Sequence, residues 1–224
     1  MKLNLTCLSF IPLSFGILTN AQALEWSPHV GVDYKYWGAQ SKAIYEPIFP
    51  HIEDGLSGYL GFRLDRRFNI DFGYDHGFQR EKTTQFNGNT AYFGPNDALN
   101  DSVVINFRMK EYYVNFAYHY ALESAPCFEI FTLIGAALNE PASTIYYIQG
   151  AGVQLPLDVE NFWHVRFGFG AQYNFLKHLG IKASVFWEQT ARIKYRGSNQ
   201  INQQIEFKPY KNATNFSIGF VLFV

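Results

Sequence analysis

The sequence predicts an all-β protein, an eight-stranded antiparallel up-and-down β-barrel that crosses a membrane. Three observations predict it. Apolar and aromatic residues recur at every second position in eight separate stretches. The connections between those stretches alternate between long and short. The chain is also 18% aromatic and only 17% charged, whereas soluble domains carry charge on roughly a quarter of their residues. Such an apolar-rich chain is not disordered. Its net charge of −1 offers no general basic surface for nucleic acid. A mean hydropathy just below zero excludes a bundle of membrane helices.

The first element is an export signal. Met1-Lys2 gives a positive start, residues 3–18 are mostly apolar and uncharged, and Ala21-Gln22-Ala23 fits the small-x-small cleavage pattern. Pro12, Ser9, Ser14 and Gly16 interrupt the apolar stretch, which argues against a retained anchor. Cys7 lacks the small residues that precede a lipidated cysteine. The expected layout is therefore a cleaved signal peptide over 1–23 and a barrel over 24–224. Cleavage leaves one thiol, Cys127, and one thiol makes no internal disulfide.

The strands follow in order. In residues 30–36, Val30, Val32, Tyr34 and Tyr36 alternate with Gly31, Asp33 and Lys35. Leu56, Leu60, Phe62 and Leu64 alternate with Ser57, Tyr59, Gly61 and Arg63. Phe68, Ile70, Phe72 and Tyr74 alternate with Asn69, Asp71, Gly73 and Asp75. Tyr112, Val114, Phe116 and Tyr118 alternate with Glu111, Tyr113, Asn115 and His119. Residues 128–137 are apolar at both parities, so period two does not orient them. Val165, Phe167, Phe169 and Tyr173 alternate with His164, Arg166, Gly168 and Gly170. Ile181, Ala183, Val185 and Trp187 alternate with Lys182, Ser184, Phe186 and Glu188. The last strand alternates Phe216, Ile218, Phe220, Leu222 and Val224 with Ser217, Gly219, Val221 and Phe223. Strands of about 9–12 residues have the length that crosses a bilayer with tilt.

The connections separate a barrel from a soluble sandwich. Residues 65–67, 121–126 and 175–178 are short links, while 38–54, 78–106, 138–162 and 189–212 are long and polar. With eight strands, every long connection falls on one side and both chain ends on the other. Short inner turns with long external loops are the asymmetry of a membrane barrel, and four such loops are uncommon in a compact soluble domain.

One parity must then face lipid. Tyr34, Tyr36, Tyr74, Tyr112, Tyr118, Tyr173 and Trp187 are the candidates for aromatic girdles at the two interfaces. The other parity carries the charges: Asp33, Lys35, Arg63, Asp71, Asp75, Glu111, Arg166, Lys182 and Glu188, with Glu129 undecided. Charges in a narrow lumen must be paired, so a salt-bridge network is expected, with Arg166 and Lys182 as its cationic partners. Gly31, Gly61, Gly73, Gly168, Gly170 and Gly219 relieve crowding in an interior just wide enough for side chains.

These features resemble the outer-membrane barrel superfamily of diderm bacteria. The final strand resembles that family's assembly signal for the barrel-insertion machinery, with Val224 where the family usually ends in Phe. The strings at 58–74 and 169–184 are similar to strand–turn–strand units of the outer-membrane protein A transmembrane domain and of opacity proteins. The resemblance covers most of 27–224 and identifies architecture better than role. It implies an outer-membrane monomer embedded in lipid and lipopolysaccharide, with no cofactor.

Chemical motifs are sparse. The sequence contains no His-Glu-x-x-His, CxxC, P-loop or GxSxG. Its histidines lack metal-ligand spacing, and residues 96–101 lack that of an EF-hand. Three readings of function stay open. The first is a structural or surface-interaction role, through external loops bearing Tyr45, Phe49, Phe86, Tyr92, Phe93, Tyr146, Tyr147, Phe162 and Trp163. On this reading the loops meet a host or surface ligand; the alternative is that they fold down on the barrel rim and bury these aromatics. The basic run Arg192, Lys194 and Arg196 offers contacts for lipopolysaccharide phosphates or serves as a solvated strand extension. The second is a narrow channel for small solutes. The third is a lipid A acyltransferase or deacylase, in which His51, Asp101 and Ser102 meet at the outer rim. The first is preferred, and the chain is read as a non-enzyme.

Overall fold

The computed structural model describes residues 26–85, 102–148, 154–155, 158–198 and 204–224. The export signal expected over 1–23 lies outside them. Fifteen strands are described: β1 (Trp26–Ala39), β2 (Ile52–Leu64), β3 (Phe68–Gly77), β4 (Arg80–Gln85), β5 (Ser102–Arg108), β6 (Lys110–Leu122), β7 (Ala125–Asn139), β8 (Ala142–Ile148), β9 (Gln154–Leu155), β10 (Asp158–Val159), β11 (Phe162–Leu176), β12 (Leu179–Glu188), β13 (Tyr195–Ser198), β14 (Gln204–Phe207) and β15 (Ala213–Phe223). Eight close into a barrel in the order β1-β15-β12-β11-β7-β6-β3-β2, each antiparallel to its neighbours. Closure comes from β1 on β15, which places Tyr34 opposite Ile218 and Tyr36 opposite Phe216. A closed sheet has no edge whose N–H and C=O groups would face lipid unbonded.

The short links are tight turns. At the first, the three residues 65–67 join Leu64 to Phe68, and Asp65 (φ 49°) and Arg66 (φ 57°), both left-handed, form a tight turn closed by the Arg67 amide donating to the Leu64 carbonyl at 3.0 Å. Neither is glycine, so the turn carries a conformational cost that the long β2–β3 ladder offsets.

Period two sets the wall. Val32, Leu60, Phe116, Ile134, Phe169 and Ile218 are exposed on the outer face, an apolar surface that water would not tolerate and lipid does. Aromatic pairs lie at two heights. Trp26–Phe62 (6.1 Å) and Phe68–Tyr118 (5.1 Å) ring the short-turn end. Tyr74–Tyr112 and Phe167–Trp187, both 5.0 Å between centroids, ring the long-loop end. The strand over 128–137 now has a parity. Glu129, Phe131, Gly135 and Ala137 face inward and Ile130, Thr132, Ile134 and Ala136 outward. It reads as apolar on both faces because Phe131 stacks inside on His119 (4.8 Å).

The long connections depart from the expectation of plain loops. They build a four-stranded sheet (β4-β5-β8-β9) and a three-stranded sheet (β10-β13-β14). Above the barrel they enclose an apolar cluster that includes Trp37, Ile48, Phe49, Ile105, Phe107, Met109, Ile193, Tyr195 and Tyr210. Apolar residues inside these polar segments supply a second core that closes the barrel mouth.

Candidate functional site: the filled lumen and the basic rim

The inward charges form two clusters. Near the mouth, Lys35 Nζ donates to Asp75 (2.6 Å), Glu111 (3.1 Å) and Glu188 (2.7 Å), so one ammonium on β1 ties down β3, β6 and β12. Arg166 lies 3.2 Å from Asp75 and 3.0 Å from Glu188. His164 Nε2 bonds the other Glu111 oxygen at 2.5 Å, and Asn215 donates to Glu188 at 2.6 Å. Aromatic faces complete the cage, with Lys35 4.3 Å from the Trp37 ring and Arg166 4.2 Å from that of Tyr113. All these carboxylates are buried. A buried charge is tolerated when it is paired and hydrogen-bonded, as each of these is through at least one oxygen, while Asp75 Oδ1 has no hydrogen-bond partner among the described residues.

Toward the short turns, Arg63 makes a bidentate pair with Glu129 (3.1 and 2.9 Å) and donates to Asn69 (2.8 Å). His119 bonds Glu129 at 2.9 Å, and His29 bonds Asp71 at 2.7 Å. Lys182 sits 3.8 Å from Asp33 and 3.9 Å from Asp71, with its ammonium 3.7 Å from the Tyr59 ring centre. The ring of Phe223, off the outward parity of the last strand, lies 4.8 Å from the Arg63 guanidinium. It stoppers this end of the lumen.

All nine charges read from parity line the lumen, and Glu129 joins them. Both expected cationic partners lie among these carboxylates, Arg166 at close range and Lys182 at longer distances, and Lys35 and Arg63 add close bonds that parity alone did not single out. The histidines, which sequence spacing left scattered, enter the network at positions 29, 119 and 164. Their parity was the available signal, because His119 alternates in phase with Glu111, and His164 with Arg166.

Little space remains between the clusters. A cavity of about 30 Å³ is bordered by Asp33, Asp71, Asp75, Tyr113, Lys182 and Ser217, room for about two waters. The Tyr59 and Tyr113 rings fill the rest by lying over Gly31 and Gly73, where any Cβ would strike them. Carboxylate oxygens of Asp75, Glu111 and Glu188 lie within 4.8 Å of one another, a set that could hold a divalent cation. Here the Lys35 ammonium takes the centre.

At the rim, two cations of the basic run already have partners. Lys194 pairs with Glu206 at 2.8 Å, and Arg196 pairs with Glu206 and Glu160. Lys194 and Arg196 hold the Glu206 carboxyl below its ordinary value. Arg192 stays exposed and donates to the Trp163 carbonyl at 2.8 Å. Of the loop aromatics, Tyr45, Phe49 and Phe162 pack into the cap, while Trp163 is exposed. Burial, with Tyr195 beside it, pushes the Tyr210 phenol well above its usual value. Phe86, Tyr92, Phe93 and residues 96–101 lie outside the described residues, as do the side chains of Tyr146 and Tyr147. His51 Nδ1 accepts from the Ser41 amide at 3.4 Å. Asp101 and the side chain of Ser102 lie outside the described residues. On the final strand Phe216, Ile218, Phe220, Leu222 and Val224 are all exposed on the outer wall. Cys127 is exposed near the β6–β7 turn.

No protein-family model matches the chain, and no curated protein matches it. Solved structures do. A major outer membrane protein of Thermus thermophilus is similar at a TM-score of 0.54 and 8% identity, over 89% of this chain and 100% of that one. Outer membrane protein AlkL, solved in lipid bilayers, is similar at a TM-score of 0.50 and 11% identity, over 93% and 94% of the two chains. Neisserial surface protein A gives 0.49 and 10% identity, over 88% and 98%. At such identities the likeness is one of fold. The chain is a closed eight-stranded antiparallel barrel with the architecture of bacterial outer-membrane barrels.

Proposed function

We propose that the protein is an integral outer-membrane barrel that anchors a folded external cap for contact at the cell surface, with neither a transport nor an enzymatic task. The observation that carries this reading is the double closure of the barrel. Buried ion pairs fill the lumen, and an apolar core seals its mouth. The ordering of long connections into two sheets is better explained by a presented surface than by a passage for solutes. On this reading the outward apolar residues of β15 serve the barrel-insertion machinery during assembly, the export signal is cleaved, and the barrel works as a monomer. Conductance of the purified protein in planar bilayers tests it. Electrical silence is expected, together with cleavage of the cap by protease added to intact cells. A large, stable, ohmic pore would overturn the closed-anchor reading in favour of a channel.

A further inference from the structure

Four segments meet at the outer rim, where β1, β15, β12 and β11 adjoin. The Lys42 amide donates to the Pro209 carbonyl at 2.6 Å and the Lys211 amide to the Gln40 carbonyl at 2.9 Å. The Ala191 amide donates to Asn212 Oδ1 at 3.2 Å, and Arg192 Nη1 to the Trp163 carbonyl at 2.8 Å. These bonds gather Lys42, Arg192, Lys208 and Lys211 onto one arc. Three of them are exposed and Lys42 is half-exposed. Residues 39–45, 189–194 and 207–215 contain no acidic side chain. Among the described residues no carboxylate pairs with any of the four cations, in contrast to Lys194 and Arg196. Trp187 of the outer girdle, Tyr36 and the exposed Trp163 belong to the strands beneath this arc, and the carbonyl that holds Arg192 is that of Trp163 itself.

We infer that this arc docks the phosphate groups of outer-leaflet lipid, an inference that rests on the membrane reading proposed above. Four like charges held together repel one another, and an anionic ligand relieves that repulsion. Aromatic side chains sit at headgroup height, so cations just above them stand level with the phosphates of the surrounding lipid. Arg matches phosphate with a planar fork, and Lys adds point charges. A soluble sulfated glycan would meet the charges without needing the tryptophans below, so the lipid is the occupant assigned.

The experiment uses the full chain purified in detergent, with heat-dependent gel migration as the check on folding. Native mass spectrometry then compares bisphosphorylated lipid A with the same lipid stripped of its phosphates. The wild type is expected to prefer the phosphorylated lipid by about tenfold or more, as several surface cations near phosphate would give. K42Q/R192Q/K208Q/K211Q is expected to lose that preference and bind the two lipids about equally, while keeping its heat shift. Replacing the paired cations (K194Q/R196Q) is expected to leave the preference intact. Equal binding of the two lipids by folded wild type, or an unchanged preference in the quadruple variant, overturns the site and leaves the membrane reading standing. Binding of a heparin fragment at the arc without any lipid preference reassigns it to soluble polyanions. Failure of the wild type to insert into vesicles removes both readings.

Discussion

The barrel and its cap share one strand pattern and invert its chemistry. On β1 the inward residues are Asp33 and Lys35, then Trp37 and Ala39. The change falls at the same height elsewhere. Glu111 gives way to Met109 just before β6, and Asn215 to Ala213 at the start of β15 and Tyr210 ahead of it. Below that level the strand's apolar residues face out, as a lipid surrounding would require, and ions fill the interior. Above it water covers the outside, and the same alternation turns its apolar side chains inward. On the membrane reading proposed above, the level of inversion marks where the surroundings change from lipid to water. Lys35 stands on it, with three carboxylates on one side and the Trp37 ring on the other. Each core is suited to its surroundings, since a strand apolar on both faces would be hard to keep soluble before insertion.

The largest expected effect strikes this seam. Lys35→Ala leaves Asp75, Glu111 and Glu188 without their shared ammonium, and uncompensated buried charge costs about 3–5 kcal/mol. Urea unfolding followed by heat-dependent gel migration should show that loss in the barrel itself. A cost below about 1 kcal/mol, the range of an exposed pair, would mean that the ion pairs contribute little. The same variant should respond to refolding in calcium, because its three carboxylates retain oxygens close enough to share a cation. Part of the lost stability should return with Ca²⁺ and none with Na⁺. No recovery would show that charge compensation is not what Lys35 supplies.

The apolar core should fail differently. Phe49 is fully buried among Tyr45, Tyr195, Phe207 and Tyr210. Phe49→Ala should cost about 3 kcal/mol, the lower end for a buried Phe, because these rings can partly fill the space. The cost should appear as faster proteolysis of the cap in membrane-inserted protein, with the barrel's heat shift unchanged. Loss of the heat shift as well would mean that cap and barrel unfold as one unit and are not separate cores.

How much of each region was legible in the sequence follows from how each is built. Parity assigns a residue to a face, so Asp33, Arg63 and Glu188 were readable as lumen residues from their neighbours alone. Partners were not readable. Lys35 reaches Glu188 across 153 positions of sequence, a meeting set by the stagger and closure of the sheet and by no periodicity. Burial of the loop aromatics at the rim was an open alternative from the sequence, but the sheets and core of the cap were not readable, for a related reason. Ile48, Phe49, Ile105, Phe107, Ile193 and Tyr210 are scattered through segments rich in polar residues, and only the folded rim brings them together. The phase of Ile105 and Phe107, two positions apart on β5, was a local hint of strand inside a segment whose polarity reads as loop. At the rim the spacing of Arg192, Lys194 and Arg196 carries no sign that two of the three meet carboxylates.

The smallest effect concerns one of those carboxylates. Glu206 on β14 lies opposite Arg196 on β13 and accepts from both Arg196 and Lys194. These cations hold its carboxyl below the ordinary value, Lys194 foremost. A group whose pKa is lowered by folding stabilises the fold while it is ionised. The contribution is therefore complete above the carboxyl's ordinary pKa and disappears as the pH falls through the lower value it has in the folded hairpin. Glu206 and Arg196 are largely in water, so the effect is small and salt weakens it. The protection factor of the Arg196 amide, its exchange rate relative to the intrinsic rate at each pH, should fall on acidification at low ionic strength, and less so in high salt. Glu206→Gln should remove the pH dependence of that site. If Glu206→Gln left the acid response of β13 unchanged, the pairing would be an exposed contact of no consequence, and the Lys194 and Arg196 charges would again be open to a phosphate ligand.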